Sequence, residues 1–334
     1  MNDMQKLIWE LPEQIESAVS IGVEGEIPVG VKGILVGGMG GSAIGGDLLS
    51  AILRMNSNVP VYVNRDYVFP RWVQGKDWLC VCVSYSGNTE ETLSMYELAK
   101  AKGCKIGVIT SGGKLGEWAR KDKVPLCTIP GGYPPRAAIG YTFFPLVRMV
   151  FSALGMEFPE DDVAEVVSLL KEVRGDFSSQ GGPPARLASE IKDKLPVIYS
   201  DERLGVVTRR WVNQINENAK ALAHFNIFPE LNHNEIVGYM LPHEVVGKSI
   251  AIFLRDGKEH DRVSARMRLT GEILARDGVR TVDIYSKGQS LLARIFYLVY
   301  FGDFLSYFLA CLYGVDPVPV ERIAWLKEKL RGEK

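Results

Sequence analysis

The feature that most constrains this sequence is a repeated order of apolar strand, glycine- or hydroxyl-rich turn, and helix. The apolar run Gly33–Gly37 ends in a glycine-rich turn, and a helical pattern then continues through Arg54. The run Trp78–Val83 ends in the hydroxyl-rich turn Ser84–Thr92, and a second helical pattern covers Leu93–Lys102. Apolar strands that alternate with helices are typical of a parallel sheet with helices on both faces. The sequence therefore predicts a doubly wound α/β fold.

The same order returns more weakly in the second half of the chain. Strands are predicted at 197–200, 250–254 and 279–284, and helices at 206–223, 263–276 and 290–312. A length of 334 residues fits two domains, and the stretch Arg174–Pro184 between the halves is rich in helix breakers. We predict an N-terminal domain at 1–155, a linker at 156–185 and a C-terminal domain at 186–334.

Composition argues against several classes of partner. Thirty-nine basic and 40 acidic residues leave a net charge of −1, so no charge excess attracts nucleic acid or an anionic membrane. Arg294 and Asp303 interrupt the longest apolar stretch, which therefore predicts a buried helix rather than a membrane span. No signal peptide is visible, and the five cysteines have no metal-site spacing. We expect a cytoplasmic protein without nucleic-acid or membrane partners.

Two turns have the composition of phosphate sites. Gly37–Gly46 is glycine-rich and contains Ser42, so its backbone N–H groups and one hydroxyl can approach an anion at a helix start. Ser84–Thr89 offers three hydroxyls and a glycine in the same kind of position. Serine and threonine also serve as ordinary helix caps, which is the alternative for either turn alone. Two such turns in one parallel-sheet domain favour an anion site.

The first turn also fits a dinucleotide fingerprint. Gly38, Gly40 and Ala43 have the required spacing, and Asp66 lies where a ribose-binding acid is expected. Arg65 would suit a 2′-phosphate, which makes an NADP-dependent reductase an alternative hypothesis. That hypothesis leaves the hydroxyl-rich turn unexplained.

Five blocks of sequence together resemble one family. They are 38–47 (GMGGSAIGGD), 84–92 (SYSGNTEET), 134–137 (PPRA), 213–219 (NQINENA) and 229–235 (PELNHNE). The hydroxyl-rich block alone is typical of sugar isomerase (SIS) domains. With the later blocks, nearly the whole chain resembles the bifunctional phosphoglucose/phosphomannose isomerase family.

The resemblance implies a fold, a reaction and a set of site residues. It implies two flavodoxin-like SIS domains and a homodimer whose active site lies at domain and subunit interfaces. The reaction would be a metal-free and cofactor-free aldose–ketose isomerisation of sugar 6-phosphates through a cis-enediol. The phosphate-binding positions carry over to Gly41, Ser42, Ser84, Ser86 and Thr89. The catalytic positions carry over to Glu217 as the acid–base, His233 from the partner subunit for ring opening, Arg136 beside the enediolate, and Lys327.

The chemistry of these residues agrees with such roles without requiring them. Glu217 lies among asparagine and glutamine residues, which is unusual for a solvated helix face and suits a proton-transferring acid. His233 is in a polar loop and can exchange protons near neutral pH. Arg136 follows two prolines that restrict its backbone. Lys327 lies four residues after Ile323 on an apolar helix side. Each could also be an ordinary surface residue.

The hypothesis is therefore an isomerase that interconverts glucose 6-phosphate, and also mannose 6-phosphate, with fructose 6-phosphate. Family members that accept both epimers carry a threonine shortly before the C-terminal lysine. The segment 316–323 contains none, which weakens the expectation for the mannose epimer. The remaining alternative is a SIS protein that binds a sugar phosphate without turning it over.

Overall fold

The computed structural model describes residues 3–330 and 332–333, and the chain divides into two compact units. The N-terminal unit consists of Trp9–Val173 and Ser286–Tyr297. The C-terminal unit consists of Arg174–Tyr285 and the chain from Leu298 onward, together with the beginning of the chain through Ile8.

The secondary structure alternates between strands and helices in both units. The helices are α1 (Asp3–Trp9), α2 (Leu11–Val19), α3 (Gly41–Leu53), α4 (Glu90–Ala101), α5 (Gly113–Asp122), α6 (Ile139–Leu154), α7 (Glu160–Ser178), α8 (Pro183–Ile191), α9 (Gly205–Gln214), α10 (Glu235–Gly238), α11 (His243–Val246), α12 (Asp261–Arg276), α13 (Leu291–Tyr313) and α14 (Glu321–Leu330). The strands are β1 (Gly33–Gly37), β2 (Val61–Asn64), β3 (Trp78–Val83), β4 (Lys105–Thr110), β5 (Leu126–Thr128), β6 (Leu195–Asp201), β7 (His224–Phe228), β8 (Ser249–Arg255) and β9 (Arg280–Tyr285). Short 3-10 turns cover Pro135–Ala137 and Glu230–His233, and a π-helical turn covers Ile215–Ala219.

The sheet of the N-terminal unit has the strand order β2-β1-β3-β4-β5, with every neighbouring pair parallel. This is the order of flavodoxin-like doubly wound sheets. Every residue of β1 is buried, and so is every residue of β3 except its first. Burial on both faces explains why these strands are continuous apolar runs instead of alternating ones.

The sheet of the C-terminal unit has the order β7-β6-β8-β9, again with parallel neighbours. It repeats the first sheet without the fifth strand, and all seven residues of its β8 are buried. The predicted fold class, two doubly wound parallel sheets with surrounding helices, is confirmed. Strands β5 and β7 were not among the predicted elements.

The helix predicted at 206–223 was wrong in its last four residues, and its middle part is π-helical instead of α-helical. The α-helix ends at Gln214, the π-helical turn follows, and Lys220 adopts a left-handed conformation with φ of 56° that terminates the helical segment. The chain then enters β7, which pairs with the edge of β6. Pairing with a neighbouring strand outweighs the helix propensity of the Ala-Leu-Ala segment at 221–223.

The stretch expected as a linker, 156–185, contains all of α7 and the beginning of α8. The apolar residues of α7 recur at helical spacing, and the buried ones are Val163, Val166, Val167, Leu170, Val173 and Phe177. An amphipathic helix with this pattern packs against a core. The two compact units therefore differ in extent from the expected domains 1–155 and 186–334.

Helix α13 is apolar and 23 residues long, with a mean hydropathy of 1.7 in its most apolar window. Among the residues that the structure describes, it is the one helix long and apolar enough to span a membrane. Eighty-nine per cent of that window is buried inside the protein. The helix thus forms part of the interior, as its interrupting charges predicted.

Candidate functional site

The glycine-rich turn between β1 and α3 lies directly against the end of β3. A Cβ added at Gly38 would come within 2.8 Å of the carbonyl oxygen of Val83 and 3.1 Å of the Cβ of Ser42. Ser42 itself is 5% exposed. The turn therefore requires glycine at this close approach, and it places the start of α3 beside the strand that carries the hydroxyl-rich turn.

The hydroxyl-rich turn between β3 and α4 is organised by its own side chains. Ser84 is buried; its Oγ accepts a hydrogen bond from the N–H of Gly87 at 3.1 Å and shares one with Oγ1 of Thr89 at 2.9 Å. Ser86 is exposed, and its Oγ accepts from the N–H of Asn88 at 3.3 Å. Gly87 has φ of 68°, and a Cβ there would lie 1.8 Å from the carbonyl oxygen of Gly112. The sequence SYSGNT thus produces a tight turn whose hydroxyls gather before α4.

The two turns meet at the carboxyl ends of neighbouring parallel strands. Residue Gly37 of β1 pairs with Cys82 of β3. The chain continues from β1 to β2 on one side of this pair, and from β3 to β4 and β5 on the other side. Such a switch point is where doubly wound sheets bind ligands. The starts of α3 and α4 add N–H groups and positive dipole ends. The arrangement can hold a phosphate.

Arg136 lies next to the glycine-rich turn. It is 4% exposed and belongs to the 3-10 turn that precedes α6. A Cβ added at Gly41 would be 3.3 Å from the Cα of Arg136. Gln14 fixes the following segment, because its side chain donates to the carbonyl of Ala137 at 3.0 Å and accepts from the N–H of Gly140 at 2.7 Å. The structure therefore brings Gly41 and Arg136 together at one end of the sheet.

The residues needed by the dinucleotide hypothesis already have protein partners. The guanidinium of Arg65 forms an ion pair with Asp47 of α3. Oδ1 of Asp66 accepts a hydrogen bond from the N–H of Tyr67 at 2.6 Å. These contacts disfavour a role for either side chain in binding a ribose or its 2′-phosphate.

Glu217 lies in the π-helical turn that follows α9. π-Helical turns are rare and occur frequently at functional sites, because the extra residue changes the direction in which a side chain points. Glu217 is half-buried, and the ammonium of Lys220 donates to its carbonyl oxygen at 2.6 Å. The same ammonium reaches the carbonyl oxygen of Pro317 at 3.4 Å, so it links this turn to the segment before α14.

Glu217 lines a cleft of about 750 Å³ in the C-terminal unit. The residues of the cleft come from the end of the helical segment and from the chain entering α14, and they are Asn216, Glu217, Lys220, Ala221, Leu222, Val315, Asp316, Pro319, Val320, Glu321, Arg322 and Ile323. The half-buried carboxylate thus faces a space large enough for a small organic molecule. Lys220 and Arg322 add two cations that were not predicted from the sequence. The residue types around Glu217 did not reveal them, because their placement depends on the unexpected chain reversal at Lys220.

A buried polar network lies behind the Glu217 turn. Arg210 of α9 forms an ion pair of 2.7 Å with Asp303 of α13, and Gln214 donates to the other carboxylate oxygen of Asp303 at 2.7 Å. Asn218 donates to Oγ of Ser306 at 3.0 Å. Burial raises the pKa of Asp303, while the charge and hydrogen bond of Arg210 act in the opposite direction. Helix α13 therefore contacts the helical segment on both sides of Glu217.

His233 ends the 3-10 turn Glu230–His233 and is exposed. Its side chain makes no hydrogen bond within residues 3–330 and 332–333, whereas its neighbours are anchored. Asn232 donates to Oγ1 of Thr270 at 2.8 Å, and Asn234 donates to Glu230 at 2.9 Å. The loop thus presents an unengaged imidazole on a fixed backbone.

The carboxylate of Glu235, two residues after His233, is held by a polar cluster. It accepts hydrogen bonds from Tyr199 and Asn226, and its Oε2 lies 3.4 Å from Nε2 of His224. The hydroxyls of Tyr199 and Tyr239 are 2.6 Å apart. Burial raises the pKa of Tyr239 to about 12. Both tyrosines are therefore neutral at physiological pH, and the cluster ties the His233 loop to β6 and β7.

Lys327 is exposed on α14, and within the described residues neither it nor His233 lines the cleft of Glu217. Every side chain of α14 is exposed, including the apolar ones Ile323, Trp325, Leu326 and Leu330. The apolar face on which Lys327 was placed exists, but none of its side chains is buried within the described part of this chain.

The carboxyl edge of the C-terminal sheet carries ion pairs instead of hydroxyls. Arg203 contacts Asp201 at 2.9 Å and Asp256 at 3.0 Å. Oδ1 of Asp201 accepts from the N–H of Leu204, at the start of α9, at 3.1 Å. Arg255 pairs with Glu259 at 2.7 Å. Among the residues described, no group of three or more His, Cys, Asp and Glu side chains has the arrangement of a metal site.

Comparison with known proteins identifies a family model and several relatives of this chain. A family model described as the bacterial phospho-glucose isomerase C-terminal SIS domain matches residues 181–330. The bifunctional phosphoglucose/phosphomannose isomerase of Caldicellulosiruptor bescii is 45% identical over 336 residues, covering 98% of this chain and 98% of that protein. The protein of the same name from Aquifex aeolicus is 40% identical over 274 residues, or 82% of each chain.

Solved structures show the same fold at much lower identity. The tagatose-6-phosphate ketose/aldose isomerase from Escherichia coli matches with a TM-score of 0.63 and 14% identity, over 96% of this chain and 90% of that one. At this identity the similarity concerns the fold alone.

Proposed function

The chain belongs to the bifunctional phosphoglucose/phosphomannose isomerase family, and from this we propose that it interconverts glucose 6-phosphate and mannose 6-phosphate with fructose 6-phosphate. The observation that carries the proposal is the position of Glu217, a half-buried carboxylate on the wall of a cleft and within a π-helical turn. A base in such a place can act on a bound substrate. The alternatives, a reductase and a non-catalytic binding protein, have no comparable support.

We assign the phosphate of the substrate to the two turns of the N-terminal unit. Gly41, Ser42, Ser84, Ser86 and Thr89 supply the N–H and hydroxyl groups there. The two turns, from Gly38 to Ser42 and from Ser84 to Thr89, contain no carboxylate that would repel a dianion. Anchoring the distal phosphate leaves the carbonyl end of the sugar free for the reaction.

Glu217 carries the proton in the mechanism that we propose. Its carboxylate removes the proton from C2 of the open-chain aldose, which gives a cis-enediolate that becomes the cis-enediol when O1 takes up a proton. The hydroxyl at O2 then gives up its proton as the carboxyl group protonates C1, and the ketose forms. The guanidinium of Arg136 stabilises the negative charge that develops on the enediolate oxygens. His233 and Lys327 assist the opening of the sugar ring by proton transfer. The planar enediol has no configuration at C2, so one acid can serve both the glucose and the mannose epimer.

We further propose a cytoplasmic homodimer in which His233 reaches the site of the partner subunit. Several large apolar side chains that follow His233 are exposed, with Val237 at 66%, Met240 at 66% and Leu241 at 67%. Exposed apolar patches of this kind mark association surfaces. The exposed His233 and the uncovered face of α14 are consistent with residues that act only in an assembly. The five cysteines are all free thiols, which suits a reducing compartment.

An NMR assay of the purified protein, run in the presence of a chelator, tests the proposal. We expect fructose 6-phosphate to form from each aldose. In D₂O, the carboxyl proton of Glu217 exchanges with solvent, so deuterium should appear at C1 of the ketose. Failure to form fructose 6-phosphate from glucose 6-phosphate would refute the proposed function. Turnover without deuterium would argue for hydride transfer instead of an enediol.

A further inference from the structure

We propose that Ser306 and Asp303 of α13 are positioning residues that hold the π-helical turn so that Glu217 faces the cleft. The proposal rests on the proposed function, because it concerns the same catalytic acid. Neither residue lines the cleft, so both would act through the turn that carries Glu217.

The first observation is where the contacts fall. Gln214 precedes Glu217 by three residues and is bound to Asp303 at 2.7 Å. Asn218 follows Glu217 directly and is bound to Ser306 at 3.0 Å. The two contacts bracket the turn, so a shift of Glu217 relative to α13 would break one of them.

The second observation is that the bonding of Ser306 is directional. Its hydroxyl donates to the carbonyl oxygen of Asp303 at 2.8 Å and accepts from Asn218. Ser306 and Asn218 are both fully buried, with 0% exposure. A buried hydroxyl that both donates and accepts has a fixed orientation, and it fixes the side chain of Asn218 in turn.

The third observation is the close packing of α9 against α13. The indole nitrogen of Trp211 donates to the carbonyl oxygen of Leu298 at 2.8 Å. A Cβ added at Gly302 would lie 2.3 Å from the same nitrogen. Because the indole of Trp211 packs directly on the backbone of α13, we take α13 as the fixed reference for the position of the turn.

The competing explanation is that these polar contacts serve stability alone. Apolar side chains could fill the same space at equal or lower cost, because burying ionic and polar groups carries a desolvation penalty. Directional bonds, by contrast, define one register of a helical segment. A π-helical turn needs side-chain contacts to fix its register, because its backbone hydrogen bonding departs from that of a regular α-helix.

The decisive variant is Ser306→Ala, which removes one hydroxyl and the bond to Asn218. We expect kcat to fall roughly tenfold to a hundredfold, because small displacements of a catalytic group have effects of that size. KM should stay within about twofold. The pH dependence of kcat should also shift, since the surroundings of Glu217 change. Ser306→Thr, which keeps the hydroxyl, should restore most of the rate.

Thr208→Val is the matched control. Thr208 is equally buried on α9, and its hydroxyl donates to the carbonyl oxygen of Gly205, away from Glu217. It should alter the melting temperature without changing kcat or its pH dependence. Gln214→Met gives a second test from the other side of the turn, should Ser306→Ala fail to fold, and it should likewise lower kcat.

The outcomes separate this inference from the proposed function. An inactive wild-type protein, or a fully active Glu217→Gln variant, would contradict the proposed function. Active wild type with inactive Glu217→Gln, but with unchanged kcat in folded Ser306→Ala or Gln214→Met, would overturn only the positioning role. An equal loss of kcat in Thr208→Val would overturn it as well.

Discussion

The carboxyl ends of β1 and β3 and those of β6 and β8 occupy corresponding places in two sheets of matching strand order, yet their chemistry differs. In the N-terminal unit, glycines and hydroxyls precede the helix starts, and no side-chain hydrogen bond from the described residues caps α3 or α4. In the C-terminal unit, Asp201 places its own carboxylate on the N–H of Leu204, and Arg203 neutralises Asp201 together with Asp256. At the edge of the C-terminal sheet, a carboxylate of the protein therefore occupies the position in which the N-terminal sheet can accept an anionic ligand.

This difference shows that the fold places a possible binding site at the carboxyl edge of each sheet. The residues of the turns then determine whether that edge can bind an anion. The acid that we propose as catalytic in the C-terminal unit lies at the opposite end of a helix, because Glu217 follows the last turn of α9. In the function that we propose, one unit binds the phosphate and the other carries out the proton transfer. Variants in the two units should separate KM from kcat, and each prediction below tests that separation.

The largest effect is expected from Glu217→Gln. The amide keeps the shape of the side chain but cannot remove a proton, so kcat should fall about 10³-fold, as for loss of a general base. KM should change little, because phosphate binding belongs to the other unit. Steady-state kinetics on glucose 6-phosphate provide the measurement. A large rise in KM with normal kcat would contradict the division of roles.

The second prediction concerns the ion pairs at the carboxyl edge of the C-terminal sheet. Arg203→Met leaves Asp201 and Asp256 without their cation in a largely buried place, which should cost about 3 kcal/mol of unfolding free energy at pH 7. KM should not change. Burial already raises the pKa of Asp201, so the deficit should shrink as the pH falls and Asp201 becomes protonated.

Urea denaturation at pH 7 and at lower pH measures this effect. Arg268→Met is the control, because Arg268 forms an exposed ion pair with Glu272 on α12. Exposed pairs of this kind contribute about 0.5 kcal/mol or less. A rise in KM for Arg203→Met would show that the carboxyl edge of the C-terminal sheet also takes part in substrate binding.

The third prediction concerns the carboxyl edge of the N-terminal sheet, to which we assign the phosphate. Thr89→Val preserves the volume of the side chain but removes a hydroxyl that we assign to the phosphate. Loss of one hydrogen bond to a charged group should raise KM about tenfold while kcat changes little. Ser94→Ala serves as the control, because its hydroxyl donates to the carbonyl oxygen of Tyr67 instead. If kcat fell and KM did not, the anion site would lie elsewhere.

The smallest effect is expected from Glu259→Gln. Burial raises the pKa of Glu259, but hydrogen bonds from the backbone and from Arg255 outweigh it, so the pKa lies below the usual 4.5. The carboxylate therefore stabilises the fold fully above about pH 4.5, and this contribution is lost as the pH falls through the lowered pKa. Wild type should lose more unfolding free energy between pH 6 and pH 3 than Glu259→Gln does. Equal losses would mean that this pair contributes nothing to acid stability.

Much of the N-terminal unit could be predicted because its strands are long apolar runs and its turns have distinctive composition. The blocks 38–47 and 84–92 begin where the sequence places them, at the ends of β1 and β3, although α3 already starts at Gly41 and α4 at Glu90. The turn residues reveal their role through chemistry that is local in sequence, which a single sequence displays directly.

Less of the C-terminal unit could be predicted, because its key features depend on contacts between distant residues. The π-helical turn and the residue before it are hydrogen-bonded to Ser306 and Asp303, which lie more than 85 residues away from their partners. Strand β7 forms because β6 offers it an edge, against the helix propensity of the preceding alanines and leucine. Helix α7 was missed because the nearby glycines and prolines suggested a linker although Val163, Leu170 and Phe177 lie on one buried face.

Helix α14 has ten residues and buries none of them within the described chain. A peptide of this length is marginally helical in water on its own, because the free energy gained by extending the helix over so few turns does not offset the cost of nucleation. In the homodimer that we propose, the partner chain would cover this helix and stabilise it, and dilution would withdraw that support by mass action. Specific activity should accordingly decline as the protein is diluted, and it should recover on concentration with the kinetics of a bimolecular step.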